Sequence, residues 1–182
     1  MMQNRLRTLM LAAAISLSFT ALASAQTPAP ADGAASSSMS ASADANFVKM
    51  ASAAGMAEVN LGKLGAEKGH SDAVKTFGQT MVDDHTKAGD ELKTIASGKS
   101  IPVADAPMPA DVKAASMIEK KEGAAFDTAF KTKMVADHEK VIKLFTKEST
   151  GGKDPELKAF ATKTLPTLKH HLEMAKALPA GK

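Results

Sequence analysis

The chain has 182 residues, 44% of them hydrophobic and 24% charged, with 7 Phe and no Trp, Tyr or Cys. That balance is globular, and the lack of a long block of one charge argues against an extended disordered chain. Without cysteine there is no disulfide scaffold, no thiolate nucleophile and no Cys-type zinc site. With Phe as the only aromatic residue, a stacking platform for nucleic acid is not expected.

Residues 1–25 read as a secretory leader. Arg5 and Arg7 precede an apolar stretch from Leu9 to Leu22, and Ala23-Ser24-Ala25 supplies the small residues a signal peptidase accepts, so cleavage is expected after Ala25. The apolar run is short for a membrane span, and no cysteine follows it to carry a lipid anchor. Both arginines of the chain lie in the leader, and without them 21 lysines face 20 acidic residues. The basic precursor therefore does not point to nucleic acid as a partner. No later segment is long and apolar enough to span a bilayer. These features lead to the expectation of an exported, periplasmic protein.

Residues 26–43, rich in Pro, Ala and Ser, read as a flexible tether. From Asp44 the composition turns to Ala, Lys, Leu, Glu and Met, which are good helix formers. The spacing predicts four long helices within a domain over 44–178. The first runs from about Ala45 to Gly69 with Asp44 as its cap, and the second from about Asp72 to Ser97 with Ser71 as its cap. The third runs from about Ala124 to Ser149, closed by Gly151-Gly152. The fourth runs from Pro155, a favoured first-turn proline, to Leu178, ahead of a short tail over 179–182. The connection from Gly98 to Gly123 contains three prolines and a short amphipathic piece, Asp111 to Lys121.

Met81-Val82-Asp83-Asp84-His85-Thr86-Lys87 in the second helix is echoed by Met134-Val135-Ala136-Asp137-His138-Glu139-Lys140 in the third, each with a Phe (Phe77, Phe130) at the same offset. The two histidines share a level only if these helices run parallel, which requires a long crossover. Gly98 to Gly123 is long enough to supply it. The expected fold is therefore all-α, a ferritin-like four-helix bundle whose crossover between the second and third helices carries a short helix.

The row of alternating three- and four-residue steps faces the interior of such a bundle. It reads Phe47, Ala51, Ala54, Glu58, Leu61, Gly65 in the first helix and Val74, Gly78, Met81, His85, Ala88, Leu92, Ile95 in the second. The third gives Phe130, Met134, His138, Val141, Phe145, and the fourth Leu157, Ala161, Thr164, Leu168, His171, Ala175, Leu178. Each helix thus turns one titratable group inward. A carboxylate or imidazole buried alone costs several kcal/mol, so these groups need partners. Two arrangements would provide them: a hydrogen-bonded Glu/His layer that sets helix register, as in a structural or envelope-stress module, or a shared transition-metal ion. Glu58, His85, His138 and His171 suit zinc, copper, nickel or iron. Glu58, His85 and His138 count to within about a helical turn of one another, whereas His171 counts one turn further, beyond a kink expected at Pro166. His170 is expected to face solvent, and His70, at a helix junction beside Gly69, to be a surface or capping residue.

Met81, Met134 and Met174 lie one turn from histidines and could lend thioethers to copper(I), but flexible core filling is the better explanation of them. Gly62 and Gly65, with Gly55, mark close helix packing or a contact with a second copy of the chain. No hydrolase motif or phosphate loop is visible, and no organic cofactor is expected.

The segments FVKMASAAGMAEVNLGKLGAEKG, VKTFGQTMVDDHTKAGDELKTIA, AAFDTAFKTKMVADHEKVIKLF and DPELKAFATKTLPTLKHHLEMAKAL resemble an exported bacterial ferritin-like family, the domain of unknown function 4142, whose members are often labelled putative outer membrane proteins. The resemblance spans Phe47 to Leu178 and implies the ferritin-like bundle without implying a reaction. The chain has no alternating strands from which to build a membrane barrel. It also departs from carboxylate-bridged di-iron oxidases, which need Glu-x-x-His on two helices. Val82, Val135 and Leu168 stand where those glutamates would be, which leaves Asp84 and Asp137 beside the histidines as bracing or surface groups. The expectation is a metal-binding protein rather than an enzyme, with a mononuclear metalloenzyme as the remaining catalytic alternative.

Overall fold

A computed structural model of the chain describes residues 32–179, residues 32–42 by backbone alone. Every regular element among them is an α-helix: α1 Asp32–Lys68, α2 Asp72–Gly98, α3 Pro109–Glu119, α4 Gly123–Gly151 and α5 Pro155–Ala177. The expected leader, residues 26–31 of the tether and residues 180–182 of the tail lie outside the described residues. No helix among the described residues is long and apolar enough to cross a membrane.

The starts of α2 and α5 follow the chemistry of their caps. Ser71 Oγ accepts the N–H of Val74 at 3.3 Å, and the Asp154 carboxylate accepts those of Glu156 and Leu157 at 3.0 Å ahead of Pro155. α1 departs from expectation and is already helical at Asp32. Alanine is the best helix former and serine costs only about half a kcal/mol beside it, so an Ala/Ser-rich stretch does not forbid a helix. Asp44 consequently lies inside α1 and does not cap it. Its buried carboxylate accepts the N–H groups of Lys153 at 3.2 Å and Asp154 at 2.8 Å, at the entry to α5. Asp127 of α4 does the same at the entry to α2, accepting from His70 at 2.8 Å and Ser71 at 2.9 Å. A carboxylate is favourable at a helix N-terminus, where unpaired N–H groups and the helix dipole meet it.

α1 packs along α2, and α4 along α5. Phe77 meets Phe130 at 6.1 Å between ring centroids and His85 meets His138 at 5.7 Å, so α2 and α4 run in the same direction. Phe47 meets Phe145 at 5.1 Å while Gly65 lies against Phe130, so α1 and α4 run oppositely. The connection from α2 to α4 must therefore travel back along the helices, and α3 within it packs on α1 and α4.

All positions of the four interior rows are buried or half-buried. Their apolar members form two clusters. One contains Phe47, Leu92, Phe145, Leu157, Phe160 and Leu168, and the other Leu61, Phe77, Met81, Phe126, Phe130 and Met134. The histidine positions fall between them along the chain, 85 between Met81 and Leu92 and 138 between Met134 and Phe145.

α1 and α2 approach backbone to backbone through glycine. A Cβ on Gly78 would sit 2.4 Å from Ala66 N and 2.6 Å from Gly62 O, whereas one on Gly55 would meet nothing within 4 Å. Gly62 and Gly65, where a Cβ would lie 2.8 Å from Gly78 O and 2.6 Å from the Phe130 ring respectively, are thus packing glycines as the sequence suggested, and Gly55 is not. Gly78→Ala should lower stability by about 1–3 kcal/mol, because the overlap outweighs the helix-propensity gain. Gly89, whose Cβ would also meet nothing within 4 Å, is the control: Gly89→Ala should raise stability by about 0.5–1 kcal/mol in the same thermal melts.

At the end of α4, Glu148 is buried, with Oε1 lacking a hydrogen-bond partner. Burial, reinforced by Asp44 and Asp154, pushes its pKa from 4.5 to about 7. The folded state therefore holds this proton more tightly than the unfolded state, and stability is lost as pH rises from about 4.5 through about 7. Glu148→Gln should stabilise the protein at pH 8 by about 1–2 kcal/mol, or about 3–6 °C in melting temperature, and leave it unchanged below about pH 4.5.

Candidate metal centre

α2, α4 and α5 each turn one histidine into the layer between the apolar clusters. His85, His138 and His171 are 8%, 1% and 1% exposed. Their ring centroids lie 5.7 Å (His85–His138), 5.5 Å (His85–His171) and 5.6 Å (His138–His171) apart. Each offers one ring nitrogen such that all three lie within 4.8 Å of one another. Nitrogen ligands at about 2.0–2.1 Å from a tetrahedral zinc ion are about 3.4 Å apart, so closing this triad on an ion takes a shift of about 1 Å or less per ring.

The hydrogen bonds on the outer nitrogens set the state of the inner ones. His138 Nδ1 lies 2.9 Å from the Met134 carbonyl oxygen, which can only accept, so Nδ1 carries the proton of the neutral ring and Nε2 presents a lone pair. His171 Nε2 lies 2.9 Å from an Asp84 carboxylate oxygen, which by the same reasoning leaves Nδ1 as the lone-pair atom. His138 Nε2 and His171 Nδ1 are buried without a hydrogen-bond partner, as is His85 Nε2. Fixing the far nitrogen on a carbonyl or carboxylate is how metal-ligating histidines are oriented.

Burial also keeps the rings uncharged. It lowers the His85 pKa to about 3, helped by His138 and His171, and lowers that of His138 to about 4 against the raising effect of the Met134 hydrogen bond. His171 is lowered by burial as well, with Asp84 opposing. Neutral imidazole is the form that binds metal.

Of the four sequence candidates, the structure brings the three histidines together and leaves Glu58 outside the group. Glu58 is 2% exposed, has Oε2 unpartnered, and shares a cavity of about 30 Å³ with His85. After burial, which pushes its pKa well above the usual carboxylate range, the charges acting on it are Asp137, Lys133 and Asp111. It also lines, with Asp111 and Asp137, a second pocket between α1, α3 and α4. His171, one turn out of level by counting, is in register: α5 continues through Pro166 from Pro155 to Ala177, and His171 closes the triangle. His70 and His170 are exposed, as expected. Met81 and Met134 are fully buried in the apolar cluster, and Met174 packs against it half-buried.

Two features escaped the sequence reading. Asp84 was legible as a neighbour of His85, but its partner is His171 on another helix. Lys133, which bridges Asp111 at 2.7 Å and Asp137, gave no sequence signal beyond its charge.

A family model described as a domain of unknown function, DUF4142, matches residues 29–178. No curated protein and no solved structure matches the chain. The chain belongs to the DUF4142 family.

The depressed histidine pKa values have a direct consequence for metal-free protein. The unfolded chain takes up these protons near 6.5 and the folded chain only near 3 to 4, so stability is complete above about 6.5 and is lost as pH falls toward 4. At pH 5 each of His85 and His138 should cost about 1–2 kcal/mol. Urea titrations should show His138→Leu less sensitive than the parent between pH 7.5 and 5.

Proposed function

We propose that this DUF4142 protein is a periplasmic, ferritin-like four-helix bundle that holds one transition-metal ion on His85, His138 and His171. In this reading α1, α2, α4 and α5 are the bundle and the α3 segment is its crossover, consistent with the parallel run of α2 and α4. The observation that carries the proposal is the convergence of three buried ring nitrogens without hydrogen-bond partners. A polar layer serving only helix register would satisfy its inner nitrogens among themselves, since an unsatisfied buried polar atom costs about 1–3 kcal/mol.

The donor set narrows the metal. Three imidazoles with no carboxylate in the group suit zinc or copper, and nickel or iron less well. A carboxylate-bridged di-iron centre does not fit, because Val82, Val135 and Leu168 stand three residues before His85, His138 and His171, where Glu-x-x-His motifs would place glutamates. The leader over residues 1–25 supports export to the periplasm. Binding is the proposed role, and no substrate is assigned.

Protein recovered from a periplasmic fraction should carry about one metal ion per chain by elemental analysis. Metal-free protein should gain about 5–10 °C in melting temperature with zinc or copper at a hundredfold excess over Kd, and His138→Leu should abolish the gain. A melting temperature indifferent to both metals in the unsubstituted protein would overturn the proposal.

A further inference from the structure

The triad is enclosed, so an ion that binds it needs a way in. A surface pocket of about 320 Å³ lies between α1, α4 and the segment leading into α3. Its mouth carries the thioethers of Met50 and Met108, 52% and 50% exposed, and its walls carry the carboxylates of Asp111 and Asp137. Glu58 lies at its inner side. Glu58, Ala54 and Val141 also line the 30 Å³ cavity that reaches His85, which has room for a water molecule or a bare ion. These three side chains are the partition between pocket and cavity.

Glu58 is the one member of the partition able to ligate. Its Oε2 is buried and unpartnered, whereas Asp111 and Asp137 in front of it are both engaged by Lys133.

On the reading that the three histidines hold a transition-metal ion, we propose that this pocket is the route by which the ion arrives and that Glu58 carries it across the partition. The sequence of donors runs from soft sulfur at the mouth through carboxylate oxygen to imidazole nitrogen, so an ion exchanges its hydration shell in steps.

Cobalt(II), followed by its visible absorption in a stopped-flow instrument, is the probe. Because the chain has no cysteine, Met108→Cys accepts a single bulky maleimide at the mouth. Met117→Cys, on α3, lining a different pocket and 56% exposed, is the control. The label at position 108 and the isosteric Glu58→Gln should each slow cobalt uptake at least about tenfold, with equilibrium affinity changed by less than about threefold, while the label at 117 leaves the rate unchanged. Cobalt bound at an unaltered rate in the blocked or Glu58→Gln protein overturns the route. Weakened affinity with a shifted cobalt spectrum in Glu58→Gln makes Glu58 a resident ligand and overturns its carrier role. No cobalt bound by the unsubstituted protein overturns the metal centre and the route together.

Discussion

Three buried imidazoles, each with a ring nitrogen that meets no hydrogen-bond partner, are the constraint on which the arrangement of the helices turns. Each unsatisfied buried nitrogen costs about 1–3 kcal/mol, and nothing within the layer relieves it. The cost is sustained by the apolar clusters on either side, which hold α2, α4 and α5 close enough that the rings cannot turn to water. The outer hydrogen bonds remove the remaining freedom. The Met134 carbonyl fixes His138 from one turn earlier in its own helix, and Asp84 fixes His171 from across a helix interface. A site so held loses little entropy when an ion arrives, which favours binding.

The ends of the helices are held by a second device that appears twice. Asp44 of α1 caps the entry to α5, and Asp127 of α4 caps the entry to α2. The spacing from Asp44 to Asp127 equals that from Ser71 to Asp154, so the hairpins α1–α2 and α4–α5 latch each other reciprocally. The glycine contact between α1 and α2 belongs to one hairpin alone: Gly78 lies against the Gly62 carbonyl, whereas Ala161 takes the equivalent place in α5. The glycine hairpin also carries Glu58, which lines the pocket between α1 and α4.

Much of this was legible in the sequence because helical periodicity states which face of each helix is dry. The interior rows, the Ser71 cap, the first-turn Pro155 and the parallel run of α2 and α4 all followed from spacing. Periodicity fixes a side chain's face but not its neighbour on another helix, and each departure has that origin. Glu58 faces inward as expected yet stands outside the histidine group. Asp44 was assigned to its own helix, but its carboxylate serves α5. His171 depended on how α5 passes Pro166, where residue counting has no purchase. The early start of α1 was obscured because Ala/Ser-rich composition is shared by tethers and by helices.

The interior charge balance links the centre to Glu58. Burial drives the histidines toward their neutral form and Glu58 toward its uncharged acid, so the layer resists charge in the absence of an ion. A divalent cation on three neutral imidazoles introduces two positive charges into a region of low dielectric. That field favours the ionised form of any carboxyl near it. Glu58, in the same small cavity as His85 and with one oxygen uncommitted, is placed to release its proton and partly compensate the cation. Glu58 thus need not be a permanent ligand for the centre to depend on it. A buried acid between the pocket and the histidines can be neutral while the centre is empty and negative when an ion is present.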